Sequence, residues 1–228
     1  MKKDFGFIII NKPVGPTSHG IINKLRKITG IKKIGHAGTL DPFASGVLIC
    51  AIGRQATKQI DGFVKLKKEY VADLQLGAET DTYDREGVIT KKVEPDFIPP
   101  QDDIVAGILK TFQGPQKQVP PMFSAKKIQG KKLYQLARKG VEIERQPSDI
   151  EIFYIQMLNY EWPRLKIKVG CSSGTYIRSL AFDIGRELGC SAYLQELQRT
   201  AVGNFNLEQA VEVEKLNENN WVDFLFNN

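Results

Sequence analysis

Apolar positions in the first part of the chain form two short unbroken runs with a helical stripe between them. The run "GFIII" (6–10) predicts a buried strand, and Pro13, Gly15 and Pro16 behind it predict a loop. Ser18 is expected to cap a helix in which Ile21, Ile22, Leu25 and Ile28 share one face and Gly30 is the stop. The run "VLICAIG" (47–53) is too short for an independent helix and predicts a second buried strand. Partial alternation in "KEYVADLQLG" (68–77) predicts a third.

Helical spacing returns in "DDIVAGILKTFQG" (102–114). The stretch 115–147 holds "PQKQVPPMF", a cluster of cations and a short helical pattern at 133–139, and it is expected to form an arm on the main body. "RLKIKVG" alternates as a strand does, "TYIRSLAFDIGRELG" follows as an amphipathic helix, and "SAYLQELQR" is expected to be another helix. Strands and helices are interspersed without strict βαβ order, which predicts an α+β or mixed-sheet protein.

A chain of 228 residues can bury a sizeable core, as one domain or two small ones. With 42% hydrophobic and 25% charged residues it falls among ordinary folded proteins rather than disordered ones. The formal charge of +6 is concentrated. Between Lys117 and Arg145 there are eight Lys or Arg against two acids, a surplus of six that equals the net charge of the whole chain. A surface of this kind attracts polyanions. Cys50, Cys171 and Cys190 form no CxxC pair, and with two histidines no zinc-ligand pattern can be assembled. Buried thiols in a reducing, cytoplasmic compartment are expected, with no metal. "FGFIII" is too short for a signal-peptide core, and no apolar stretch approaches the roughly 20 residues that span a bilayer.

Three places carry candidate chemistry. In "GHAGTLDPFASGVL" (35–48) the glycines match neither a phosphate loop nor GxGxxG, and they leave a loop that can lie close to other backbone with Asp41 presented from it. Asp-Pro also opens turns, so the residues alone leave Asp41 open between a turn residue and a nucleophile. "GCSSG" (170–174) fits G-x-S-x-G at a strand-to-helix junction, with Ser172 as the candidate nucleophile, but both histidines precede it and the usual triad order cannot be written. The alternative is a tight turn that places Tyr176 and Arg178. A cation opening a helix sits badly with the helix dipole, so Arg178 asks for an anionic partner, for which Asp41 is available.

Five segments in order, "NKPVGPTS", "GHAGTLDPFASGVL", "KEYVADLQLGAETDTYDREG", "PPMFSAKKIQGKKLYQLARKG" and "CSSGTYIRSLAFDIG", resemble the bacterial tRNA pseudouridine synthase B family across most of residues 5–205. The resemblance implies the α+β pseudouridine synthase fold, a mixed, mostly antiparallel central sheet flanked by helices and loops, with a basic RNA-binding arm at about 117–147. It implies a single catalytic domain over 1–228, completed by residues 171–228, with no C-terminal PUA domain evident. The implied activity is isomerisation of uridine 55 in the T loop of tRNA to pseudouridine on a flipped-out base, by a monomer that takes the T-arm stem-loop and needs no cofactor and no membrane.

By the same resemblance Asp41 matches the catalytic aspartate, Tyr70 the active-site tyrosine that stacks on the base, and Arg178 the arginine paired with the aspartate. His36, Tyr176 and Leu197 match positions lining the uridine pocket, and Lys12 and Pro13 match the motif that supports the catalytic loop. Lys126, Lys127, Lys131, Lys132 and Arg138 are the expected contacts to the RNA backbone. The sequence departs from the family at Phe123, where tyrosine is usual, and at Ala37, where threonine is common. A non-catalytic RNA-binding protein on the same scaffold is the competing reading, and the intact Asp41 speaks against it.

Overall fold

The computed structural model describes residues 5–124, 127–128, 131–133, 137, 141 and 143–226. In chain order its elements are β1 (Gly6–Lys12), α1 (Ser18–Thr29), β2 (Ile34–His36), β3 (Ser45–Ile52), α2 (Gly53–Thr57), α3 (Ile60–Val64), β4 (Lys68–Leu76), β5 (Ala78–Thr80), β6 (Ile89–Lys92), α4 (Asp102–Thr111) and β7 (Gly114–Gln118). There follow β8 (Lys127–Ile128), β9 (Lys131–Lys132), β10 (Ser148–Glu161), β11 (Arg164–Cys171), α5 (Ile177–Glu187), β12 (Ala192–Val202), β13 (Phe205–Asn206) and β14 (Val211–Glu212). The chain divides into two compact units, Met1–Tyr70 with Gln198–Asn228, and Val71–Leu197. Both divisions fall inside a strand, β4 and β12.

In the first unit β1 and β3 pair antiparallel along their full lengths, from Gly6 opposite Ile52 to Lys12 opposite Gly46. The unbroken apolar runs are explained by burial on both faces. Ile8, Ile10, Leu48, Cys50 and Ile52 pack under Ile21, Ile22 and Leu25 of α1. Phe7, Ile9, Val47, Ile49 and Ala51 face the other way, onto Ala56, Phe63 and Val202. Helix α1 stops at Gly30, whose φ of 72° suits glycine as a C-cap. Its N-cap is Thr17 rather than Ser18: Thr17 Oγ1 accepts from Gly20 N at 2.9 Å, while Ser18 is buried and bonded elsewhere.

In the second unit β10 pairs antiparallel with β11 on one side and with β7 on the other, and α4 packs on β10 and α5. Strand β4 alternates buried and half-buried residues over its nine positions. The pairings are mostly antiparallel, with β1–β14 and β3–β12 parallel, so the fold is the mixed α+β kind expected from the sequence.

One expected element is wrong in type. "SAYLQELQR" is the strand β12, not a helix. Leu194 and Leu197 at i, i+3 among Gln, Glu and Arg imitate a helical stripe. The chain instead turns back after α5 through Gly189 (φ 70°) and Ser191 (φ 58°), and distant backbone takes up its hydrogen-bonding groups. Leu194 N donates to Tyr83 O at 3.0 Å, Leu194 O accepts from Arg85 N at 3.0 Å, and Arg199 stands opposite Gly46 of β3. Tertiary partners here outweigh local helix propensity.

Candidate active site

The antiparallel pair β2–β3 ends with His36 opposite Cys50, and the intervening chain makes the loop that carries Asp41. Ala44 N donates to Asp41 O at 3.2 Å, the turn that Asp-Pro predicts. Side chains from other elements grip this loop. Ser18 Oγ donates to Leu40 O at 2.9 Å and accepts from Leu40 N at 2.8 Å. The fully buried Lys12 donates from Nζ to Pro13 O (2.9 Å), Pro16 O (2.8 Å) and Pro42 O (3.3 Å), and Pro42 O also accepts from Gly15 N. Arg199 donates to Val47 O at 2.7 Å and Gly38 O at 3.1 Å. Lys12, Pro13 and Asp41, far apart in sequence, are thus brought together, with the Pro42 carbonyl adjoining Asp41 as the shared acceptor.

Gly46 shows why the loop needs glycine. Its φ is +109°, and an added Cβ would stand 2.2 Å from Arg199 O, so here two backbones touch. His36 is held below the usual histidine range, first by burial and then by the charge of Arg199 and by His19. It is therefore a neutral imidazole at pH 7. Ala37, which stands where the family commonly carries threonine, is fully buried and donates its backbone N–H to Ile49 O. Tyr70 is buried on β4, 8% exposed, and the neighbouring Glu69 accepts from Thr200 Oγ1 at 2.6 Å.

In the second unit the N-terminus of α5 is the organised feature. Tyr176 is its N-cap residue and supplies no side-chain cap. The buried Gln118 reads both backbone groups of Tyr176 instead, donating to its O at 3.0 Å and accepting from its N at 2.8 Å. Arg178 donates to Phe123 O at 2.7 Å and Thr82 O at 3.2 Å, and its Nη1 lies 3.4 Å from Asp84 Oδ2, with both side chains under a tenth exposed. Asp84 is itself fixed: its Oδ1 accepts from Thr82 Oγ1 at 2.7 Å and Glu86 N at 3.0 Å. Tyr83, between the two residues that hold Arg178, has a φ of 63° and stacks on Phe182 at 4.2 Å. Leu197 is buried on β12.

The expectation that Arg178 takes an anionic partner is met by Asp84, which sequence reasoning missed although it lies in the quoted "DTYDREG". Gln118 and Arg199 were missed too. Ser172 is a turn residue: its Oγ accepts from Glu151 N at 2.9 Å, its O accepts from Thr175 Oγ1 at 3.0 Å, and Gly174 follows with φ 87°. Cys50, Cys171 and Cys190 are buried and form no disulfide, and burial pushes Cys50 and Cys190 upward, away from thiolate chemistry. Lys126 and Arg138 lie outside the described residues. Lys127, Lys131 and Lys132 are described as backbone alone, in the paired strands β8 and β9. Among the described residues no helix is long and apolar enough to cross a membrane.

The profile of the TruB family pseudouridylate synthase N-terminal domain matches residues 26–177, and that of the tRNA pseudouridylate synthase B C-terminal domain matches residues 178–223. This chain belongs to the TruB family. Among its TruB relatives, the tRNA pseudouridine synthase B of Protochlamydia amoebophila is 50% identical over 206 residues, covering 90% of this chain and 77% of that protein. The protein of the same name from Clostridium tetani is 46% identical, covering 96% and 75%. Among solved structures, a Cbf5-Nop10-Gar1 complex matches with a TM-score of 0.74 at 31% identity, over 98% of this chain and 55% of that one. An H/ACA RNP bound to a substrate RNA containing 2'-deoxyuridine matches with a TM-score of 0.70 at 29% identity, over 96% and 53%. This TruB chain thus spans about half the length of the chains it matches in those complexes.

Proposed function

We propose that this chain isomerises uridine 55 in the T loop of tRNA to pseudouridine, with Asp41 as the nucleophile on a flipped-out uridine. Membership of the TruB family supports the reaction class, a tRNA uridine converted to pseudouridine. The observation that carries the residue assignment is the loop of Asp41, which presents one carboxylate from a backbone gripped by Ser18, Lys12 and Arg199. A backbone held at these points limits where the carboxylate it carries can go, which favours preorganisation for attack.

The chemistry needs no cofactor, because nothing is oxidised and no group leaves for good. The glycosidic bond breaks, the uracil turns, and C5 bonds to the sugar carbon that held N1, releasing the C5 proton. An ionised Asp41 attacks the sugar or stabilises its developing positive charge, as carboxylates do in glycosidases. Loss of a sugar proton to Tyr70 is the other route these residues allow. Arg178 is the aspartate's partner in this reading, as the family's motif pairs them. His36, Tyr176 and Leu197 line the uridine pocket and replace stacking lost on flipping, worth a few kcal/mol. Lys126, Lys127, Lys131, Lys132 and Arg138 grip phosphates, so binding is salt-sensitive. The enzyme acts as a monomer on the T-arm stem-loop in the cytoplasm.

Tritium release from a T-arm stem-loop carrying 5-tritiated uridine at position 55 tests this. The wild type releases tritium, and Asp41→Asn, similar in size but unable to act as an anion, releases none while keeping its affinity for the stem-loop. Full turnover by Asp41→Asn refutes the assignment of the nucleophile.

A further inference from the structure

Among the described residues Arg199 heads the fully buried side chains by size, at 1% exposed. Enclosing a guanidinium is costly unless its donors find acceptors. Among the described residues no carboxylate pairs with it: Nε donates to Val47 O and Nη2 to Gly38 O. These two carbonyls stand on either side of Asp41 in the chain, one where the loop leaves β2 and the other just inside β3. The backbone of Arg199 is fixed at the same place, opposite Gly46 in the parallel β3–β12 pairing, and Gly46 lacks the Cβ that would prevent this approach.

We infer that Arg199 is a positioning residue for the proposed reaction, a buried clamp that sets the Asp41 carboxylate by tying both ends of its loop to β12. This rests on the reading of Asp41 as the nucleophile. The residue type follows from the task. Two carbonyls reached from different nitrogens of one planar group need a guanidinium fork; an ammonium is a single compact head on a flexible stem. An apolar side chain of equal volume would fill the space and leave both carbonyls buried without this donor. Ser18 and Lys12 hold the middle of the loop at Leu40 and Pro42, so Arg199 completes the restraint at its ends.

The test compares the full chain with its Arg199→Lys variant, which keeps the charge and loses the bridge. Three readouts are taken: thermal unfolding with stem-loop affinity, single-turnover tritium release at saturating T-arm stem-loop, and amide hydrogen exchange. The expected variant is folded and binds the stem-loop within about threefold of wild type, yet reacts at least about 10-fold more slowly, because the loss is one of orientation. Its Leu40 and Ala44 amides exchange at least about 10-fold faster, while those of β1 are unchanged. A folded Arg199→Lys chain with wild-type single-turnover rate overturns the inference, as does a rate loss that only follows the unfolded fraction. Should the variant not fold, exchange on the wild type decides. Leu40 and Ala44 protected to within about 10-fold of β3 support the clamp, and exchange at free-loop rates overturns it. Absence of tritium release by the wild type would refute the proposed function instead, and leaves the exchange comparison to judge the clamp.

Discussion

Replacing Asp84 by asparagine removes the charge from the buried partner of Arg178 while keeping its size. The two side chains are 5% and 7% exposed, so solvent screens them little. Removing one member of a buried ion pair costs about 3–5 kcal/mol when the other is left without compensation. Here Arg178 keeps Thr82 O and Phe123 O, and an asparagine oxygen can still accept from Glu86 N, so the cost falls at or below the lower end of that range. We expect about 2–3 kcal/mol, against a total stability of about 5–15 kcal/mol, so the variant stays folded. In urea, with a slope of about 2 kcal/mol/M, the midpoint falls by roughly 1–1.5 M. A double-mutant cycle with Arg178→Met isolates the pair, and its coupling energy should lie at about 1–3 kcal/mol. A midpoint shift below about 0.2 M, or a coupling energy under about 0.3 kcal/mol, would refute the view that this pair holds the α5 N-terminus in place.

Gly46→Ala forces a Cβ to within 2.2 Å of Arg199 O at a φ of +109°, and neither backbone can yield without parting β3 from β12. A cost of at least about 3 kcal/mol is expected, read as a melting temperature lowered by roughly 6–12 °C; a drop under about 3 °C would contradict the packing. Asp183 on α5 is raised to about 6, chiefly by burial, with Arg186 opposing and Glu187 reinforcing the shift. Because its folded value lies above the unfolded one, the folded state holds this proton more tightly and loses stability as pH rises through the window from about 4 to about 6. With partial exposure discounted, Asp183→Asn should gain roughly 1–2 kcal/mol at pH 8 and nothing below about pH 4, checked by urea unfolding at both; an equal gain at both would refute the cause.

Much of the fold could be read along the chain because the determining interactions are local or depend on burial alone. "GFIII" and "VLICAI" are apolar at every position because β1 and β3 are covered on both faces, and Ile21, Ile22 and Leu25 mark the covered face of α1. Gly30 ends α1 through its own backbone freedom, which needs no distant partner. Asp41 was not legible in this way: its local residues fit a turn as well as a nucleophile, and only the resemblance of the whole motif to the family singled it out.

What tertiary structure decided is where long-range partners chose between locally similar options. Thr17 and Ser18 are both competent caps, and Ser18 is withdrawn from capping by a buried partner, Leu40. The residues of β12 suit a helix by composition and become a strand because β3 and the turn holding Asp84 supply their hydrogen bonds. Arg178 announced its need for an anion by its place at a helix start, but only folding brings Thr82, Asp84 and Phe123 to it. Arg199 reads as one more cation in a polar segment. Its enclosure against Gly38 and Val47 depends on residues more than a hundred positions away, and no local pattern encodes a contact at that separation.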